Sequence, residues 1–75
     1  MTLADIQEGN KAIVVRIKGN SAIKQRLMDM GISRGAKIKV ERYAPLYDPI
    51  AIKIKGYSLA LRVAEGKMIE VKLET

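Results

Sequence analysis

A chain of seventy-five residues, 48% hydrophobic but with neither Phe nor Trp, allows one domain only, because at this length about 60 to 65% of the unfolded surface is buried and no second core can form. Cysteine and histidine are both absent, which excludes disulfides, thiolate metal sites and the commonest general acid or base. Fourteen Lys and Arg against eight Asp and Glu leave a formal charge of +6, enough to steer the chain towards nucleic acid, an anionic membrane surface or an acidic protein without choosing among them.

At the N-terminus, Leu3 and Ile6 stand three apart before Gly9, which predicts a single turn tucked against the core as a plug. Asp5 and Glu8, without a basic patch followed by an apolar stretch, do not read as a signal peptide. The longest apolar run is about four residues, against the roughly 20 needed to cross a bilayer. A soluble, cytoplasmic protein is the expectation.

From Lys11 to Lys18 residues alternate, with Ile13, Val15 and Ile17 on one face and Ala12, Val14, Arg16 and Lys18 on the other, the period-two signature of a half-buried strand. Gly19 and Asn20 end it. A helix follows: Asn20 or Ser21 caps it, Ile23, Leu27 and Met30 form its apolar stripe, and Gly31 sits where a left-handed C-terminal residue is wanted. Lys24, Gln25 and Asp29 lie off the stripe, so the helix is expected to close one end of a sheet or barrel.

Further strands are read at Ile38 and Val40, at Ile50, Ile52 and Ile54, at Leu59 and Leu61, and at Ile69, Val71 and Leu73, with turns at Ser33-Arg34-Gly35, Gly56-Tyr57 and Ala64-Glu65-Gly66. Five short strands and one small helix between the first two predict a mostly β, five-stranded, partly open antiparallel barrel of SH3-like type. The five-stranded OB barrel competes, but its helix usually falls between the third and fourth strands.

Three linked segments carry a family resemblance: Arg26-Leu27-Met28-Asp29-Met30-Gly31, then Pro45-Leu46-Tyr47-Asp48-Pro49, then Gly56-Tyr57-Ser58-Leu59-Ala60-Leu61-Arg62. With the opening Leu3-Ala4-Asp5-Ile6 and Glu8-Gly9, the chain closely resembles the FeoA family, the small cytoplasmic proteins of bacterial ferrous iron transport. The resemblance implies one SH3-like domain over residues 1–75 that docks on the cytoplasmic GTPase part of the FeoB membrane transporter as an accessory or regulator of Fe(II) uptake. One departure is Tyr47, where the family's loop often carries Gly or another modest residue.

Turnover is not expected. Ser21, Ser33 and Ser58 have no His to activate them, and the eight carboxylates are dispersed along the chain. No cofactor or metal ligand set is read: Fe(II) favours imidazole, carboxylate or thiolate, and only scattered oxygens and the thioethers of Met1, Met28, Met30 and Met68 remain. Gly31 to Gly35 lacks the following Lys-Ser/Thr of a phosphate loop.

The candidate partner-binding residues are therefore Met28, Leu46, Tyr47, Tyr57 and Arg62. Leu27 and Met30 read as core. Met28 lies off the apolar stripe. Leu46 either docks on a partner or folds back to cap the core. The strand lysines Lys37, Lys39, Lys53, Lys55 and Lys72 either form a basic platform or a solvated face, and the platform supports an alternative function, nucleic-acid binding. Exposed sheet edges also make a homo-oligomer a possible assembly.

Overall fold

All five period-two runs form strands in the computed structural model, which describes residues 1–74. These are β1 (Lys11–Ile17), β2 (Lys37–Tyr43), β3 (Ile50–Ile54), β4 (Tyr57–Leu61) and β5 (Ile69–Leu73), with a helix α1 (Ser21–Asp29) between β1 and β2. They make one antiparallel sheet in the order β4-β3-β2-β1-β5. The sheet curls around an aliphatic core without closing, so β4 and β5 remain its edges.

The buried face of β1 differs from the one its alternation suggests. Ala12 and Val14 are buried while Val15 is 37% exposed. A bulge at Val15 is the reason: Val14 pairs with Val71 but Arg16 pairs with Glu70 and Ile17 with Ile69. One extra residue shifts the alternation, so even positions face the core before it and Ile17 packs on the core after it. β2 repeats the device at Glu41, which turns Ile38, Val40 and then Tyr43 inward. Two bulges on neighbouring strands bend the sheet towards a barrel.

The N-terminal segment plugs one end. Leu3 and Ile6 are buried, the turn Leu3–Asp5 is held by the Asp5 carboxylate accepting from Thr2 N–H at 2.8 Å, and the Met1 carbonyl accepts from Val71 N–H on the β5 edge. A four-residue helix α2 (Val63–Gly66) stands where a simple turn is expected between β4 and β5. There Glu65 accepts from Arg62 N–H at 3.0 Å, capping its first turn.

α1 begins where expected, with the Asn20 side chain accepting from Ile23 N–H. It ends in a Schellman motif: Gly31 takes φ +92°, its N–H bonds to Met28 C=O and Ile32 N–H bonds to Leu27 C=O. Leu27 and Ile32, the apolar pair that accompanies this motif, are both fully buried.

Candidate docking surface

The loop 44–49 between β2 and β3 displays the two most exposed of the candidate residues, Leu46 at 88% and Tyr47 at 72%. Leu46 does not fold back on the core. Tyr47 N–H bonds to Ala44 C=O at 2.7 Å, Ala44 N–H bonds to Pro49 C=O at 3.0 Å, and the Asp48 carboxylate accepts from Val63 N–H at 3.1 Å and meets Arg62 at 3.5 Å. The loop is thus fastened at its base and across to α2 while its tip stays in solvent. The Asp48–Pro49 peptide is cis.

Tyr47 itself takes φ +64°, the left-handed region where a non-glycine residue bears about 1 to 2 kcal/mol of strain. Its ring sits 6.0 Å from that of Tyr43, tilted by 55°, a geometry suited to an edge-on aromatic contact. Beside the loop a groove of about 600 Å³ is lined by Arg42, Tyr43, Ala44, both prolines, Ala51 and Ala60. Ala51 and Ala60 face each other across β3 and β4, and two small side chains in register leave a depression. This register, and with it the groove, exists only in the folded sheet.

Of the candidate residues, Leu46 and Tyr47 lie on the loop that Asp48 ties to Arg62 at one end of β4. Tyr57 lies at the other end, about 13 Å away at roughly 3.3 Å per residue. Its hydroxyl donates to Met30 C=O at 2.6 Å, satisfying a carbonyl that the helix end leaves without an intrahelical donor. Met28, 51% exposed, projects from that same last turn of α1. The candidates therefore form two groups joined by β4. Arg26, which opens the first signature, pairs with Glu65 at 3.2 Å and ties α1 to α2.

Every one of the eight carboxylates has an internal partner. Asp5 and Glu65 cap turns, Glu8 accepts from Tyr43 N–H, Asp29 from Gln25 and Glu41 from Ser58, Asp48 holds Val63, Glu70 is bonded to Arg16 and Glu74 pairs with Lys37. No three His, Cys, Asp or Glu side chains converge on a metal-sized space among the described residues. Dispersed carboxylates that each already hold an internal partner do not fit a resident transition metal, which needs several imidazole, carboxylate or thiolate donors brought together.

The lysines are left over. Lys11, Lys39 and Lys53 stand opposite one another across β1, β2 and β3, and among the described residues none of them has a carboxylate partner. Like charges in register are mutually destabilising, so this row concentrates positive charge on the outer face, with Glu74 and Glu41 the carboxylates nearest to it.

Two groups titrate away from their usual ranges. The hydrogen bond from Arg16 holds the Glu70 carboxyl below its ordinary value. A depressed carboxyl pKa contributes stability above the unfolded value and loses it as pH falls through the folded one. Urea midpoints followed downward from pH 5 should fall less steeply for Glu70→Gln than for the parent chain. Burial, with Asp5 and Glu8 adding to it, pushes the Tyr43 hydroxyl above 10.0. That hydroxyl's one proton is given to Ile6 C=O at 2.5 Å, with Ala4 C=O at 3.2 Å as the longer, alternative acceptor, pinning the N-terminal plug to β2. Tyr43→Phe should cost about 1 to 2 kcal/mol in denaturant unfolding at neutral pH. The parent should lose stability as pH rises above 10, where the unfolded chain ionises first, and the variant should lack that component.

A family model described as the FeoA domain matches residues 1–73. A segment of the Fe(2+) transport protein A/Fe(2+) transporter FeoB fusion protein of Porphyromonas gingivalis is 36% identical over 73 residues, which is 97% of this chain and 9% of the fusion. The solution structure of the FeoA protein from Chlorobium tepidum is 40% identical and superposes with a TM-score of 0.93, covering 100% of this chain and 71% of that one. The crystal structure of Stenotrophomonas maltophilia FeoA complexed with zinc, described as an SH3 domain protein, is 26% identical with a TM-score of 0.84 over 96% of this chain and 89% of that one. No helix among the described residues is long and apolar enough to cross a membrane. With an open SH3-like sheet, the three signature segments in place and a family match from end to end of the sheet, this chain belongs to the FeoA domain family.

Proposed function

We propose that residues 1–75 are one docking domain of Fe(II) uptake that works on the cytoplasmic side of the membrane, binding the cytoplasmic GTPase part of a FeoB-type transporter and catalysing no reaction of its own. The observation that carries this reading is the Porphyromonas gingivalis fusion, in which a 36% identical segment shares one polypeptide with FeoB. Joining two modules covalently makes their encounter intramolecular, which is useful where the modules act together. Whether joined or separate, the two modules need a displayed surface through which to meet. Leu46 and Tyr47 supply one, presented on a fastened loop at low ordering cost, with Arg62 beside it and Met28 and Tyr57 as a second patch. Titrating the purified protein against the cytoplasmic part of FeoB, with and without guanine nucleotide, tests the reading. Saturable binding in at least one state is expected; no binding in any state, nor to the full transporter, overturns it.

The lysine row Lys11, Lys39 and Lys53, without a carboxylate partner among the described residues, favours a second reading, nucleic-acid binding. It predicts binding to duplex DNA or single-stranded RNA that weakens steeply with salt. Aromatic residues for stacking bases are missing from those rows, and absence of binding at low salt removes this reading.

A further inference from the structure

The two edges of the sheet are protected unequally. β5 carries Glu70 and Lys72, and its outer side is covered where Thr2 bridges to Glu70 and Val71 N–H bonds to Met1 C=O. β4, Tyr57-Ser58-Leu59-Ala60-Leu61, holds no charge and no proline. It pairs with β3 in unbroken register, without the bulges that twist β1 and β2. Its backbone makes no hydrogen bond outside the β3 ladder among the described residues. An edge without charge, proline, bulge or cover lacks the usual devices that keep a sheet from accepting another strand.

The side chains beside this edge define what would fit. Outward, Ser58 continues into Lys53, Lys39 and Lys11, and Ala60 continues into Ala51 and Arg42. Both rows are small at β4, and behind it the four cations Lys53, Lys39, Lys11 and Arg42 outnumber the one carboxylate that reaches Ser58, that of Glu41, so outward side chains of an added strand would rest in a net positive field over the alanine groove. Inward, Leu59 is only half-buried and Tyr57 is 44% exposed, although both lie on the core side of β4.

We infer that β4 is the acceptor edge for an extended segment of the partner, which adds antiparallel or parallel to it as a sixth strand and alternates acidic with apolar side chains. The backbone ladder supplies affinity, and the two faces supply the acidic and apolar preference. The loop tip at Leu46 and Tyr47 and the α1 end at Met28 stand at the two ends of this edge, so a strand laid along β4 reaches both exposed groups. A second copy of this chain fits less well, because pairing two β4 edges would bring two +6 chains together along their lysine rows.

This inference rests on the docking proposed above and specifies its mode. The probe is the cytoplasmic part of FeoB, and the readout is amide hydrogen exchange along this chain, free and bound. Amides of β4 that do not bond to β3 exchange readily in the free chain and are expected to slow by about tenfold or more in the complex. Lys53→Glu, a change at an exposed outer position, is expected to weaken binding by roughly three- to tenfold at low salt and to flatten its salt dependence, with the free chain's thermal midpoint preserved. Binding with protection confined to the 44–49 loop or α1 overturns strand addition and leaves the docking reading standing. Absence of binding overturns both, and exchange that is protected in β4 of the free chain at high concentration shows self-pairing instead, which also overturns the inference.

Discussion

Leu27→Ala should destabilise the fold by about 2 to 5 kcal/mol, the range for removing a fully buried leucine from a packed core. A domain of this size has roughly 4 to 11 kcal/mol in total, so the variant should approach the unfolded state at physiological temperature. Leu27 has no exposed surface, and its carbonyl receives the Ile32 N–H that closes the Schellman motif. It is the side chain by which α1 enters the core cluster, the rest of the stripe being only partly buried. Its loss leaves a cavity within the buried aliphatic cluster, which the surrounding side chains can fill only in part. Urea unfolding should show a lower midpoint with unchanged slope. Met28→Ala, one residue on but 51% exposed, should stay within about 0.5 kcal/mol of the parent.

That contrast was readable beforehand, since the spacing of Ile23, Leu27 and Met30 separates Leu27 from Met28 without coordinates. Strand number, helix position and both helix caps are legible for the same reason: each rests on local periodicity or on one residue type with a conformational preference. The face of β1 was not, because Val15 is as apolar as its neighbours and nothing in its side chain marks it as the bulged residue. Only the pairing of Arg16 with Glu70, more than fifty positions away, reveals it. α2 was hidden by its brevity, four residues being too few to show a helical period. Nothing local marks Tyr43 as the residue that holds the plug, because that role depends on carbonyls of Ala4 and Ile6 that the fold brings to it. The engagement of all the carboxylates likewise exists only in three dimensions. Legible from sequence was their dispersal; the structure adds that each is already occupied.

Leu46→Asp should leave stability within about 0.5 kcal/mol of the parent, since a side chain 88% exposed has little folded-state packing to lose. On the docking reading, the same change should weaken binding to the cytoplasmic part of FeoB by roughly ten- to a hundredfold. That corresponds to about 1.4 to 2.7 kcal/mol, the scale of an anchor residue at the centre of an interface. Tyr47→Gly separates display from backbone shape. It removes the ring but relieves the φ of +64°, and the strain released is offset by the greater freedom of glycine in the unfolded chain. Its stability should therefore move by no more than about 1 kcal/mol, with loss of the Tyr43 contact included. If the tyrosine were there only to shape the loop, glycine would bind the partner as well as the parent does. If the ring is an anchor, binding falls while the fold holds. Isothermal titration of the parent, Leu46→Asp and Tyr47→Gly against the same partner decides between a loop that is merely exposed and one whose exposure serves contact, and equal affinities for all three would remove the loop from the docking surface.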